Sequence, residues 1–220
     1  MGSNVKKRII TSLFLISLLA LMFFYSYIMI ISVIIISIIS WVEFYALISK
    51  IFKKNKTKHK ILRFFYKLMS LLYLFTLVYL IFIIESDHLN LKIYLLYSIS
   101  VAIMSDIGGL VFGKLFKGKK LTKISPNKTI SGSIGSLICS MLLIPFYHQS
   151  LFNENLLGIS VITILISITS QFGDLFISFL KRKAKVKDTS DILPGHGGIL
   201  DRIDGIIFAI PVGVYLFIIT

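Results

Sequence analysis

The chain has 220 residues, of which 56% are hydrophobic and 15% are charged, and its mean hydropathy is +0.88. This composition excludes a soluble globular protein, because such a fold cannot hide so much apolar surface, and it is typical of a helical membrane protein. The net charge of +14 is confined to short segments. That distribution favours anionic lipid head groups or a phosphorylated metabolite as partners and argues against nucleic acid.

Apolar runs long enough to cross a hydrocarbon core about 30 Å thick recur along the whole chain. They predict an all-α, polytopic integral membrane bundle with about seven transmembrane helices. The predicted spans are residues 9–23, 25–48, 64–84, 93–113, 130–147, 157–180 and 203–220. Residues 9–42 carry no charge, and one helix of that length would exceed the bilayer, so we expect a helical hairpin there.

The distribution of basic residues predicts the orientation. Lysine and arginine concentrate in the segments 50–63, 114–128 and 181–202, whereas 85–92 and 147–156 carry acids and only one base. With seven spans the basic segments share one side of the membrane, and the positive-inside rule makes that side cytoplasmic. We therefore expect a multi-pass protein of the inner (plasma) membrane with a site that faces the cytoplasm.

The sequence contains neither an internal repeat nor a polar segment of domain length. We therefore expect one membrane domain, 1–220, in which residues 1–92 form scaffold spans and residues 93–220 form the catalytic spans and cytoplasmic loops. Glu43 is an exception to the apolar first half. It stands with Trp41 and Tyr45, where an aromatic belt would lie, and this predicts an interfacial side chain rather than a catalytic one.

Polar residues follow helical spacing in the second half of the chain. In the sixth span they lie three or four residues apart and so share one helix face. These residues are Gln171, Asp174, Ser178, Lys181 and Lys185. In the fourth span Asp106, Gly109 and Gly113 share a face in the same way, and the glycines allow another backbone or a ligand to approach closely.

Four aspartates stand at the predicted cytoplasmic ends of spans: Asp106, Asp174, Asp201 and Asp204. Magnesium is typically held by one or two carboxylates together with substrate phosphates, so these acids predict a metal site for a phosphorylated substrate. Two structural alternatives remain open. Asp106 can pair with a lysine to join helices, and Asp201 and Asp204 can stabilise the first turn of the last helix.

The histidines and the cysteine give no zinc pattern. His59, His88, His148 and His196 are dispersed without ligand spacing, and Cys139 lies within a predicted span, where it is expected to pack as a small hydrophobe. His196 differs from the other histidines because glycines flank it in PGHGG (194–198). It either orients a phosphate or fixes its loop.

The loop 124–136 places Ser125, Lys128 and Thr129 before a span that opens with small residues. A lysine, hydroxyl groups and backbone N–H groups at a helix N-terminus are suited to phosphate oxygens. The alternative is a capped helix start in which Gly132 and Gly135 pack against a neighbouring helix.

A long pattern of fixed residues at fixed gaps runs through the last part of the chain. It comprises Ser178, Lys181, Arg182, Lys187, Asp188, Ser190, Leu193, Pro194, His196, Gly197, Gly198, Asp201, Arg202, Ile203 and Asp204. This pattern resembles the signature of the bacterial phosphatidate cytidylyltransferases, the CDP-diacylglycerol synthases. The Asp106 helix, the SP-x-KT-x-x-G loop from Ser125 and the QxGDL segment from Gln171 fit as well, so the resemblance covers about residues 100–210. The loop departs from the family pattern at Asn127 and at 130–131.

The resemblance implies a magnesium-dependent reaction in which a phosphatidate oxygen attacks the α-phosphorus of CTP, giving CDP-diacylglycerol and pyrophosphate. It implies two cation sites, with Asp174 and Asp201 as metal ligands. The catalytic residues that it implies are Asp174, Asp201, Lys181, Arg182, Asp204 and His196. The substrate-binding residues are Ser125, Lys128, Thr129, Ser178, Lys187, Arg202 and Asp106. The implied partners are CTP, phosphatidate, membrane lipids and a second copy of the chain in a homodimer.

Two other functions remain as alternatives. A CTP-dependent polyprenol or phytol kinase, or a related CDP-lipid synthase, would use similar polar spans, although the HGG-x-x-DR-x-D pattern favours phosphatidate as acceptor. A membrane transporter would also place acids in its spans. Transporters tend to have repeated halves with broken helices at the midplane, and this chain shows no repeat.

Overall fold

A computed structural model describes residues 3–53, 57–86, 90–122, 124–126, 128–147 and 155–219, and for residues 3–8 and 90 it describes the backbone alone. His88, His148 and Asn127 lie outside the described residues. So do parts of the loops on which the predicted orientation rests.

All regular structure in these described ranges is helical. The helices are α1 (Ser3–Phe24), α2 (Ser26–Ile51), α3 (Thr57–Ser86), α4 (Asn90–Phe116), α5 (Ile130–Met141), α6 (Ile144–Tyr147), α7 (Leu156–Lys183) and α8 (Leu200–Ile219). The extended pairing found within them consists of isolated bridges, such as the one between Lys120 and Thr129. The prediction of an all-α protein is therefore confirmed.

In the part of the chain that the structure describes, six helical segments are long and apolar enough to cross a membrane: Ser26–Ile51, Thr57–Ser86, Leu91–Phe116, Ile130–Tyr147, Leu156–Lys183 and Leu200–Ile219. A shorter apolar helix, Ile9–Phe24, precedes them. The protein is thus a multi-pass membrane protein with roughly the seven predicted spans. The fifth span is divided into α5 and α6, and Pro145 lies in the first turn of α6, where its missing N–H is of least consequence.

The uncharged run at the start of the chain forms two helices, as expected. Tyr25 separates them with an extended backbone, at φ −124° and ψ 108°, and α1 and α2 contact each other. The predicted polar stripe on the sixth span needs one correction. Because α7 ends at Lys183, Lys185 lies in the following turn with a positive φ of 58° and leaves the helix face.

The chain divides into two compact units. The first unit consists of Met1–Glu85 with Leu180–Ile203, and the second of Ser86–Phe179 with Asp204–Thr220. The first unit thus combines α1, α2 and α3 with residues 184–199, the connection between α7 and α8 that we call the signature loop. The division into scaffold and catalytic spans stays a prediction.

The second unit is built on a core of apolar side chains and a seam of small residues. Tyr97, Val101 and Ile166 are fully buried in the core. In the seam α4 packs closely on α5, because a Cβ atom on Gly132 would lie only 2.8 Å from the carbonyl oxygen of Gly109. These glycines therefore serve helix packing.

The same seam explains the single cysteine. A Cβ atom on Gly108 would lie 2.7 Å from the Cβ atom of Cys139, so Cys139 packs directly against α4. A hydrogen bond reinforces the seam, since the Ser136 hydroxyl donates to the Ser105 carbonyl oxygen at 2.6 Å. Cys139 is therefore a packing residue, as the sequence predicts.

Candidate active site

The second unit brings together an acid from α4, a base from the loop before α5 and an acid from α7. We call Asp106, Lys128 and Asp174 the second-unit cluster. The ammonium group of Lys128 forms an ion pair with Oδ2 of Asp174, and the two side chains are 27% and 25% exposed. Asp106 interacts electrostatically with both. Two carboxylates and one ammonium group leave excess negative charge, so the second-unit cluster retains capacity for a cation.

The loop before α5 is folded so that it fixes Lys128. The backbone N–H of Lys128 donates to the carbonyl oxygen of Ser125 at 3.1 Å, and its own carbonyl oxygen accepts from the N–H of Leu121 at 2.8 Å. Thr129 is the N-cap of α5, because its hydroxyl oxygen accepts from the N–H of Gly132 at 3.1 Å. The alternative of a capped helix start is therefore confirmed for Thr129, and its role toward phosphate stays a prediction.

On α7 one residue of the predicted polar stripe supports Asp174, and another joins α7 to α5. The Ser178 hydroxyl donates to Oδ1 of Asp174 at 3.4 Å. One turn earlier, Oε1 of Gln171 accepts from the Ser133 hydroxyl at 2.5 Å and joins α7 to α5. Asp204 lies in the first turns of α8, is 7% exposed, and accepts from the N–H of Gly205 at 2.9 Å.

The first unit contains a second set of polar residues, Glu43, Lys181, Thr189 and Asp201, which we call the first-unit cluster. Asp201 lies in the first turn of α8, as predicted. Its Oδ1 accepts from Nζ of Lys181 at 2.6 Å. Its Oδ2 accepts from the N–H groups of Thr189 and Gly198 at 2.8 and 3.1 Å. It also lies 2.9 Å from the Thr189 hydroxyl, whose one proton is shared between Asp201 and Glu43. Three donors and the shared Thr189 hydroxyl thus surround a carboxylate that has about four acceptor positions.

The Glu43 side chain is buried among protein groups, whereas the sequence predicts one exposed at the membrane interface. Its side chain is only 2% exposed, and both of its carboxylate oxygens accept hydrogen bonds from the signature loop and the start of α8. The prediction relied on Trp41 and Tyr45, but residues two positions apart lie on opposite sides of a helix. Ser40 and Leu47, which share the Glu43 face at spacings of three and four, are buried as well.

Glycines and an arginine shape the signature loop around His196. Gly195 and Gly197 have φ values of 78° and 84°, which favour glycine. The carbonyl oxygen of His196 accepts from the Arg202 guanidinium, with Nε at 3.0 Å, and its Nε2 lies 3.3 Å from the Ser12 hydroxyl. These contacts favour the loop-fixing role for His196 and show that Arg202 already contributes to it.

The remaining predicted site residues are available on the surface. Arg182 and Lys187 are exposed, and Ser125 is half-buried. Within the described ranges the structure assigns neither basic side chain an ion pair. Their proposed contacts with phosphate groups stay predictions.

The two clusters differ in how well they fit the implied magnesium ion. Within the ranges that the structure describes, no three His, Cys, Asp or Glu side chains gather as a ligand set. Asp174 and Asp106 nevertheless fit a hard cation that completes its shell with substrate phosphates. Asp201 can bind such a cation only if the ion shares Oδ1 with the Lys181 ammonium group or takes its place.

The helices and the two clusters define a class of protein, a multi-pass membrane protein with charged groups suited to phosphates. Within that class the chain belongs to the cytidylyltransferase family, whose model matches residues 3–220.

Three curated relatives, each named phosphatidate cytidylyltransferase, share substantial sequence with the chain. The protein of Staphylococcus haemolyticus (strain JCSC1435) is 47% identical over 130 residues, 58% of this chain and 48% of the relative. That of Staphylococcus aureus (strain COL) is 43% identical over 120 residues, 54% of this chain and 46% of the relative. That of Rickettsia typhi (strain ATCC VR-144 / Wilmington) is 41% identical over 136 residues, 58% of each. The matches therefore cover roughly half of each relative.

Proposed function

We propose that the chain catalyses the transfer of a cytidylyl group from CTP to phosphatidate. The observation that carries this proposal is the name shared by relatives that are 41–47% identical to the chain. The structure adds support, because the signature residues that the resemblance singles out form ordered clusters of acids, bases and backbone donors. We assign the relatives' activity and substrates to this chain only as part of this proposal.

The proposed reaction needs positioning and charge neutralisation more than covalent chemistry. An oxygen of the phosphatidate phosphate forms a bond to the α-phosphorus of CTP, and the bond from that phosphorus to the leaving pyrophosphate breaks. The attacking oxygen is already anionic, so no strong general base is required. In this scheme Lys128, Lys181, Arg182 and Arg202 bind phosphate oxygens. Ser125, Thr129, Ser178, Lys187 and His196 complete the substrate pocket.

In the same proposal Asp174 and Asp201 hold Mg²⁺, with Asp106 and Asp204 in support and with a second cation site. When bound, the ion would neutralise triphosphate charge and stabilise the leaving oxygen. We further propose that the protein resides in the inner membrane with this site facing the cytoplasm, among membrane lipids and as a homodimer. The basic loops support that orientation.

A direct assay tests the proposal. Purified protein in detergent is given CTP, Mg²⁺ and phosphatidate, and pyrophosphate release and CDP-diacylglycerol formation are measured. A parallel panel replaces phosphatidate with a polyprenol, phytol or diacylglycerol. We expect pyrophosphate to be released only when phosphatidate is the lipid supplied with CTP and Mg²⁺. Phosphorylation of a polyprenol or phytol, with no pyrophosphate from phosphatidate, would overturn the proposal in favour of a lipid kinase.

A further inference from the structure

Glu43 is an acidic residue buried within the membrane-spanning helix α2. A charged side chain in such a position is costly, and it is retained where it has specific partners. Its partners lie far away in the sequence. Oε1 accepts from the Ser190 hydroxyl at 2.5 Å and from the N–H of Ile199 at 3.1 Å, and Oε2 accepts from the Thr189 hydroxyl at 2.8 Å and from the N–H of Leu200 at 2.9 Å.

Ser190, Ile199 and Leu200 donate to Glu43, and the Thr189 hydroxyl shares its one proton between Glu43 and Asp201. An ionised carboxylate is the side-chain group that accepts at every position, whereas an amide would turn an NH₂ group toward donors. Ile199 and Leu200 supply N–H groups at the start of α8, where the first turn of a helix has no acceptors of its own. Glu43 therefore caps α8 from another helix and anchors the signature loop near its middle, at Thr189 and Ser190, and at its last residue, Ile199.

Thr189 connects this anchor to Asp201. Its hydroxyl lies 2.8 Å from Oε2 of Glu43 and 2.9 Å from Oδ2 of Asp201. Its backbone N–H donates to the same Oδ2 at 2.8 Å. Gly198 closes the arrangement, because a Cβ atom there would lie 2.5 Å from Oε2 of Glu43. Thr189 therefore contacts both carboxylates and links the position of Asp201 to Glu43.

We infer that Glu43 is a positioning residue for the proposed cytidylyl transfer. It fixes the signature loop and, through Thr189, the Asp201 carboxylate, and it does not contact substrate. This inference rests on the proposed function. A positioning role predicts a larger effect on kcat than on the KM for CTP.

The test compares Glu43→Gln with Glu43→Asp and with Ser49→Ala, a control on α2 whose hydroxyl bonds only the Tyr45 carbonyl oxygen of its own helix. Hydrogen exchange of peptides covering 188–203 is measured with kcat and KM. In Glu43→Gln we expect faster exchange there and a kcat lowered by about 10- to 100-fold, as for other residues that orient a ligand. Glu43→Asp keeps the carboxylate and should recover part of both.

A second pair of variants breaks the same link from the other side. Thr189→Val removes the hydroxyl, and Thr189→Ser keeps it. We expect Thr189→Val to lower kcat and Thr189→Ser to stay near the original enzyme. Combining Thr189→Val with Glu43→Gln should cost little more than the larger single effect, because both remove one connection. This pair keeps the inference testable if Glu43→Gln does not fold.

Three outcomes separate the possibilities. Exchange and kcat of Glu43→Gln equal to those of Ser49→Ala would overturn the anchor and the positioning role together. Faster exchange with unchanged kcat would overturn the positioning role. If the unmodified protein releases no pyrophosphate with any lipid, the proposed function fails. In that case the hydrogen exchange of Glu43→Gln by itself tests whether Glu43 anchors the signature loop.

Discussion

Asp174 and Asp201 are both predicted metal ligands, yet the protein treats the two carboxylates differently. Asp201 accepts from three donors of its own unit and shares the Thr189 hydroxyl with Glu43, and its side chain is 5% exposed. Asp174 has the Lys128 ammonium group and a long bond from Ser178, and its side chain is 25% exposed. The first-unit cluster is thus complete before any ligand arrives, whereas the second-unit cluster leaves room for one. Because the donors around Asp201 are already in place, they need not reorganise during the reaction.

The largest expected effects come from Asp174→Asn and Asp201→Asn. Each should lower kcat by more than about 100-fold, because charge stabilisation in the transition state is lost. Only Asp201→Asn should also lower the free energy of unfolding, by about 1–3 kcal/mol, since its amide would face buried donors. Asp174→Asn removes the partly exposed ion pair with Lys128 but also relieves the repulsion with Asp106, so its net effect on stability should be near zero.

Pyrophosphate release and thermal unfolding in the same detergent provide the measurements. Equal losses of stability in the two variants would show that the two clusters are not built differently. Full activity in both would dismiss the metal assignment.

Gly198→Ala tests how tightly the first-unit cluster is packed. The new Cβ atom would lie 2.5 and 2.7 Å from the carboxylate oxygens of Glu43, so we expect a destabilisation of about 1–3 kcal/mol from overpacking. Gly158→Ala is the matched control. Gly158 lies in the first turn of α7, where alanine keeps the N–H that donates to Asn155. Thermal unfolding distinguishes the two, and a neutral Gly198→Ala would contradict the described packing.

The smallest effect is expected in the second unit, at the cap of α5. Thr129→Ala removes the acceptor for the N–H of Gly132 and should cost about 1 kcal/mol of stability, which Thr129→Ser should restore. The KM for CTP, measured on both variants, separates this capping role from phosphate binding. Unchanged stability in Thr129→Ala would show that the loop before α5 does not depend on its cap.

The sequence predicts most of the fold because the bilayer imposes a simple rule. Apolar runs of about 20 residues must form helices, so the spans could be placed from hydropathy alone. The division of the fifth span was not foreseen, although Pro145 was a visible signal for it. The predicted polar stripe was extended beyond the predicted sixth span, and Lys185 was therefore placed on the face of a helix that stops at Lys183.

The site was predictable where the acids and bases lie close in sequence or belong to a known pattern. The pairing of Lys181 with Asp201 and of Lys128 with Asp174 joins residues that the resemblance had already selected. Glu43 was missed because its partners lie at least 146 positions away, and no local pattern reports such a contact. The usable signal was the helix face that Glu43 shares with Ser40 and Leu47, rather than its proximity to aromatic residues.

The contacts of Glu43 limit which pieces of this protein can stand alone. A fragment that starts after α3 would carry every residue of the family pattern, from Asp106 to Asp204. It would nevertheless leave the Ser190 hydroxyl and the N–H groups of Ile199 and Leu200 without their acceptor, and each buried, unpaired donor costs about 1–3 kcal/mol. Chimeras that exchange the C-terminal half between homologues should therefore carry α2 along with it, as one transplantable module.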